Sequence, residues 1–188
     1  MARKSSEQAF SKMIRGYYGY YSRKLGDRRY CPNCRFLLPK TEQAPDYVVA
    51  QTEEWVECKN SDATGRWTWS EITMDGPRHN QRQWLKEYDG WLFILLGNKR
   101  APKGKSAYLI PFLDWMNSIE PTLIEHGMKS IRKETKGERP GGDDLMPEYM
   151  LEWEPGEGWF IPKGHPWWAH RVEKLKTAYW EAVDGLEK

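Results

Sequence analysis

Six apolar residues in unbroken succession, Trp91-Leu-Phe-Ile-Leu-Leu96, stand between Gly90 and Gly97. The run never alternates with polar residues, so as a strand it must be buried on both faces. A bilayer span needs ~20 apolar residues, so this run is too short to cross a membrane. A doubly covered strand requires layers above and below it, and the texture of the flanking chain supplies them. Ser5 and Ser6 cap a helix predicted over about Glu7 to Tyr21, with Phe10, Met13, Ile14 and Tyr17 on one stripe. Strands are predicted over Asp46–Ala50 and Glu53–Lys59, with a third short one over Arg66–Ser70. After the break at Gly76-Pro77 a helix runs through Tyr88, and beyond the apolar run come a strand at Ala107–Ile110 and a helix from Phe112 to Ile124. Charge, Gly and Pro between Lys129 and Pro147, with Gly141-Gly142-Asp143-Asp144 in their midst, predict a mobile segment. Tyr149–Trp153 and Gly158–Ile161 read as a hairpin, and a last helix is expected from Trp167 to Leu186. The class is mixed α/β.

Eleven Trp and ten Tyr exclude disorder as the overall state. Three cysteines and an early run of charges (Arg3, Lys4, Glu7, Lys12) argue against a secreted disulfide framework and predict a soluble intracellular protein. The net charge of +2 hides a gradient: residues 1–40 carry ten bases against two acids, and residues 148–188 five against eight. A basic arm at one end suits a polyanionic partner; a solvated helix surface is the plain alternative.

The two strands around Gln51-Thr52 carry the chemistry. With those residues as the turn, antiparallel partners sum to 103, and Asp46 faces Glu57. Side chains so opposed sit ~5 Å apart, where like charges repel. A divalent cation between them reverses the sign. Lys59, two residues on, shares that face, while Val56 and Cys58 point away. Oxygen ligands with open positions suit magnesium. Gln81 precedes Trp84 and Leu85 on the sheet-facing side of its helix, and Glu7 lies one turn before Phe10, placed to lean over the sheet edge. The alternative is a solvent-facing ion pair.

Pro45-Asp46, eleven residues, then Glu57-Cys58-Lys59, with Gln81 on the next helix, resembles the PD-(D/E)xK (restriction-endonuclease-like) nucleases, most closely the RecU-type and archaeal-type Holliday junction resolvases. The resemblance covers roughly residues 5–112. It implies a mixed β-sheet core flanked by helices. The residues themselves add a C-terminal hairpin-plus-helix extension, and the expected division is a core of 1–125 and a Trp-rich extension of 126–188. The resemblance carries the site with it. It implies that Asp46, Glu57 and the Cys58 main-chain carbonyl, with Glu7 as a further candidate, hold Mg2+ (Mn2+ substituting), and that Lys59 and Gln81 complete the catalytic set. The expected function is a structure-selective DNA endonuclease acting on branched or duplex DNA. The alternatives are a flap or end-processing nuclease and a non-catalytic DNA-binding module. The expected location is the cytoplasm of a prokaryote or phage-infected host, or the nucleoid.

Cys31-Pro-Asn-Cys34 is half of a structural zinc site, which His165 and His170 would complete only if the tail folds back; free thiols are the alternative. Arg15, Arg23, Lys24, Arg28, Arg29 and Arg35 interleave with tyrosines, as nucleic-acid contacts do, and Lys99 and Arg100 offer a second basic contact. Trp153, Trp159, Trp167, Trp168 and Trp180 are more rings than a short tail is expected to bury, which predicts a homodimer interface or an extra layer over the sheet.

Overall fold

The computed structural model describes residues 6–20, 22–24, 45–49, 54–61, 64–68, 79–97 and 104–173. In chain order these form α1 (Ser6–Lys12), continued by a π-helical turn over Met13–Tyr17, then β1 (Ser22–Lys24), β2 (Tyr47–Val49), β3 (Glu54–Asn60) and β4 (Arg66–Trp67). There follow α2 (His79–Glu87), β5 (Trp91–Gly97), β6 (Lys105–Pro111) and α3, a continuous helical stretch at 112–125 with a π-helical middle at Trp115–Ile119. The chain continues through β7 (Ile131–Arg132), α4 (Gly142–Leu145), a 3-10 turn at Pro147–Tyr149, β8 (Glu152–Glu154), β9 (Gly158–Phe160) and α5 (166–173).

The central sheet is mixed, in the order β1-β2-β3-β5-β6, with β3 and β5 parallel and the other pairs antiparallel. Parallel neighbours need a crossover, and α2 lies in it. Every residue of β5 is buried, as the unbroken apolar run requires. Its odd-numbered side chains join one core and its even-numbered ones another. Trp91, Phe93 and Leu95 meet Phe10, Met13 and Ile14 of the N-terminal helix, together with Leu151, Trp159, Ile161 and Trp167 from the C-terminal part. Leu92, Ile94 and Leu96 meet Leu85 of α2, Trp115 and Leu123 of α3, and Trp67, Ile131 and Met146. Residues beyond 125 thus build both cores.

Three expectations change. The first helix stops at Tyr17, because Gly19 takes a left-handed φ of 65° and the Tyr20 N–H closes back on Ile14 O at 2.9 Å. The strand at Arg66 is two residues long and pairs with β7, outside the central sheet. The Lys129–Pro147 segment carries defined structure, β7, a tight turn and α4, with Ile131, Gly141, Gly142 and Met146 buried and residues 134–139 exposed. Gly141 and Gly142 are buried, and a Cβ on Gly142 would lie 2.7 Å from Leu96 Cδ1 and 2.9 Å from the Tyr108 hydroxyl. Gly there permits a close approach of the backbone to the sheet. The Tyr108 hydroxyl donates to Asp143 Oδ1, which ties α4 to β6.

Candidate active site

Pro45 is buried and lacks an N–H, and the β2 ladder begins two residues after it. The observed pairs Tyr47↔Val56, Val48↔Trp55 and Val49↔Glu54 all sum to 103, the register expected from the spacing. Extended by one step, this register sets Asp46 at the mouth of the hairpin, across from Glu57. The two carboxylates are stitched together through the backbone. Asp46 N–H donates to Glu57 Oε2 at 3.1 Å, and Cys58 N–H donates to Asp46 Oδ2 at 2.8 Å. Lys59 Nζ donates to Glu57 Oε1 at 2.6 Å, with 11 % and 4 % of the two side chains exposed. Carboxyl, carboxylate and ammonium therefore share a largely dry corner, where charges interact far more strongly than in water.

That corner is electrostatically uncomfortable without a cation. Burial and, next, the charge of Glu57 push the Asp46 carboxyl up from 3.8 to about 7; Glu7 adds to the rise, while the Cys58 N–H and Lys59 oppose it. Glu7 is thus within electrostatic reach, at the start of a helix whose Ser6 N–H donates to Asn60 Oδ1 at 3.0 Å, at the end of β3. The Cys58 thiol points into the core beside Val56, and burial pushes its pKa well above the usual value, which makes it no nucleophile.

α2 covers the face of β3 that bears Glu57. Trp55, on that face, packs against Trp84 at 4.9 Å and Tyr88 at 5.8 Å between ring centroids. α2 lies in the crossover between two parallel strands, so it returns against their direction. Gln81, half-buried, lies one turn before Trp84 on this helix. The helix is fixed by a bidentate pair, Arg82 to Glu120 of α3 at 3.1 and 2.9 Å. Sequence reasoning misses both the aromatic trio and this pair. Trp84 and Tyr88 are visible as an apolar face, but Arg82 and Glu120 are 38 residues apart with no local signal.

The donors are hard oxygens, and they suit magnesium: two carboxylates whose mutual repulsion a cation relieves, with the Cys58 carbonyl next to Glu57 in sequence. Among the described residues no group of three His, Cys, Asp or Glu side chains is arranged to hold a metal by itself. A site of two carboxylates leaves its other positions to main chain, water and phosphate.

Of the basic residues, Arg15 is exposed on the π-helical turn. The side chains of Arg23 and Lys24, and the whole of Arg28, Arg29, Arg35, Lys99, Arg100, Cys31 and Cys34, lie outside the described residues. Both ring nitrogens of His165 are engaged within the chain. Nδ1 accepts the Trp167 N–H at 3.0 Å, capping α5, and Nε2–H donates to Tyr149 O at 3.3 Å. His170 Nδ1 lies 3.6 Å from Glu54 Oε1.

The raised Asp46 value has a testable consequence. A carboxyl whose folded pKa exceeds its unfolded one carries an extra proton in the folded state between pH 3.8 and about 7. Its favourable share of stability is therefore present at the acid end and lost as pH rises through 7. In EDTA, Asp46→Asn should melt at the wild-type temperature near pH 4 and a few degrees higher at pH 8. At roughly 2–4 °C per kcal/mol, this allows for ~1–2 kcal/mol after solvent screening. Magnesium should narrow the gap by stabilising the wild type alone. Parallel melting curves at every pH would show that the two carboxylates do not strain the fold.

No protein-family model matches the chain, and a search of the curated proteins returns no relative. Among the described residues no helix is long and apolar enough to cross a membrane.

Proposed function

We propose that the chain is a magnesium-dependent DNA endonuclease of the PD-(D/E)xK type, acting on branched DNA as a junction resolvase. The supporting observation is the corner in which Asp46, Glu57 and Lys59 meet across the β2–β3 hairpin, two carboxylates joined by main-chain hydrogen bonds and an ammonium 2.6 Å from one of them.

In this reading Asp46, Glu57 and the Cys58 carbonyl hold the ion. When bound, magnesium supplies polarisation of the scissile phosphate and a more acidic water. The chain's own contribution is placement and charge. Glu57 holds the Lys59 ammonium over the site, where it orients the attacking water and offsets negative charge as it grows on the phosphate. Gln81, from the helix above, donates to a non-bridging oxygen. Water attacks phosphorus in line, the bond to the 3′ oxygen breaks, and a 5′ phosphate remains.

Purified protein with magnesium, set against a four-way junction, a flap, a duplex and a single strand, tests this. Paired symmetric nicks in the junction are expected. Cleavage confined to flaps or ends would support a processing nuclease, and binding without cleavage a silent DNA-binding module. Paired nicks need two sites, so the proposal includes a homodimer, which light scattering resolves against the 22.2 kDa protomer. Of the tail tryptophans, Trp159 and Trp167 are buried in the chain's own core, Trp153 is 55 % exposed, and Trp180 lies outside the described residues, so their number does not carry the dimer.

A further inference from the structure

On the same side of the sheet as Glu57 and Lys59, one short loop beyond the end of β3, the β4–β7 ribbon floors a cleft of about 730 Å³. Its inward side chains, Trp67 and Ile131, are buried with Leu92, Ile94 and Leu96. Its other pair is Arg66 and Arg132, directly opposed in the ladder, and both line the cleft. Like charges directly opposed across a ladder destabilise it, and an anion between them reverses the sign. Arg66 is steadied by Thr64, whose Oγ1 accepts from Nε at 3.0 Å.

The facing wall carries two more cations. Lys136 and Arg139 exchange backbone hydrogen bonds of 3.0 and 3.3 Å around a tight turn in which Gly137 has φ 63°. The turn is rooted. Thr135 Oγ1 accepts the Gly141 N–H at 2.9 Å and donates to Asp144, at the start of the α4 segment packed on Leu96 and Tyr108. Glu134 and Glu138 also line the cleft. Four cations against two carboxylates leave a net +2, and Arg132, Glu134, Lys136 and Glu138 alternate in sign along the chain. A single compact anion would feel both carboxylates; a chain of phosphates spaced along the cleft meets the cations in turn.

We propose that this cleft binds the sugar-phosphate backbone of a nucleic-acid strand. The inference rests on the nuclease reading for the identity of the polyanion. It assigns a function to a segment, 129–147, whose composition suggests only a mobile stretch of chain.

The test is fluorescence anisotropy of the full chain in EDTA with a labelled duplex and the corresponding single strand, across a salt series. Arg132→Gln with Arg139→Gln should weaken binding about tenfold and flatten the slope of log K against log salt by up to ~1.8, two contacts at ~0.9 each. Glu134→Gln with Glu138→Gln should tighten binding, a gain that misfolding cannot mimic. The probe that loses more identifies duplex or single strand as the occupant. Wild-type affinity and slope in the arginine variant overturn the proposal, as does displacement of both probes by millimolar inorganic phosphate. Failure of the nuclease reading looks different: the wild type cleaves nothing in magnesium, while the arginine variant still loses binding.

Discussion

Asp46→Asn and Glu57→Gln are each expected to lower magnesium-dependent cleavage by at least ~10²–10³-fold, the scale of losing a preorganised electrostatic group at a reacting phosphate. DNA binding in calcium should remain near the wild-type level. Both substitutions keep the shape of the site and much of its hydrogen bonding. In Asp46→Asn the new amide oxygen would still accept from the Cys58 N–H, the 2.8 Å bond of the native carboxyl. What each removes is negative charge, and charge is what a magnesium ion requires. The stability measurement makes the interpretation sharp. Asp46→Asn relieves a carboxyl pushed up to about 7, so the inactive variant should be the more stable one at pH 8. A structural residue behaves the other way, losing activity through lost fold. Lys59→Ala should also cut the rate by ~10²–10³-fold. It also removes the cation 2.6 Å from Glu57 and leaves that buried carboxylate without it, so a marked fall in melting temperature accompanies the loss of activity. Cleavage at the wild-type rate in Asp46→Asn or Glu57→Gln would remove the metal assignment, and with it the case for a nuclease.

The site is legible in the sequence because its geometry is local. Glu57 follows Asp46 by eleven positions, and once the antiparallel register of β2 and β3 is set, period-two alternation decides which side chains share a face. The same holds for Trp91–Leu96, where the absence of alternation by itself demands two covered faces. Long-range pairings leave no such signal. Nothing near Arg82 announces Glu120, and nothing near Arg66 announces Arg132, yet these pairs position α2 and the floor of the basic cleft. The Gly141-Gly142 stretch misleads for a physical reason. Glycine marks both loose chain and close approach, and only the neighbours Leu96 and Tyr108, far away in sequence, distinguish the two. The C-terminal tryptophans leave two readings open in the sequence, an interface or an extra layer over the sheet, and Trp159 and Trp167 take the second, packed with Trp91, Phe93 and Leu95 of β5.

Trp167→Ala provides the strongest test of that sheet packing. Trp167 is fully buried, and its ring meets Trp91, itself fully buried, edge-on at 4.7 Å. Trp91 in turn contacts the His170 ring at 5.3 Å, so one aromatic column joins β5 to α5. Truncating such a ring to Ala costs roughly 3–5 kcal/mol, from lost transfer energy and the cavity left behind. For a chain of this size that is a drop of roughly 6–20 °C in melting temperature. Trp153→Ala, at a ring 55 % exposed, should change stability by no more than about 0.5 kcal/mol. The contrast bears on the site as well, because Trp91 pairs with Val56, the residue before Glu57. Loosening the column beneath β5 should therefore reduce cleavage at temperatures well below the unfolding midpoint, whereas Trp153→Ala leaves it unchanged. Near-identical melting of Trp167→Ala and wild type would mean that α5 does not belong to the core, and would return the tail tryptophans to an interface between two copies of the chain.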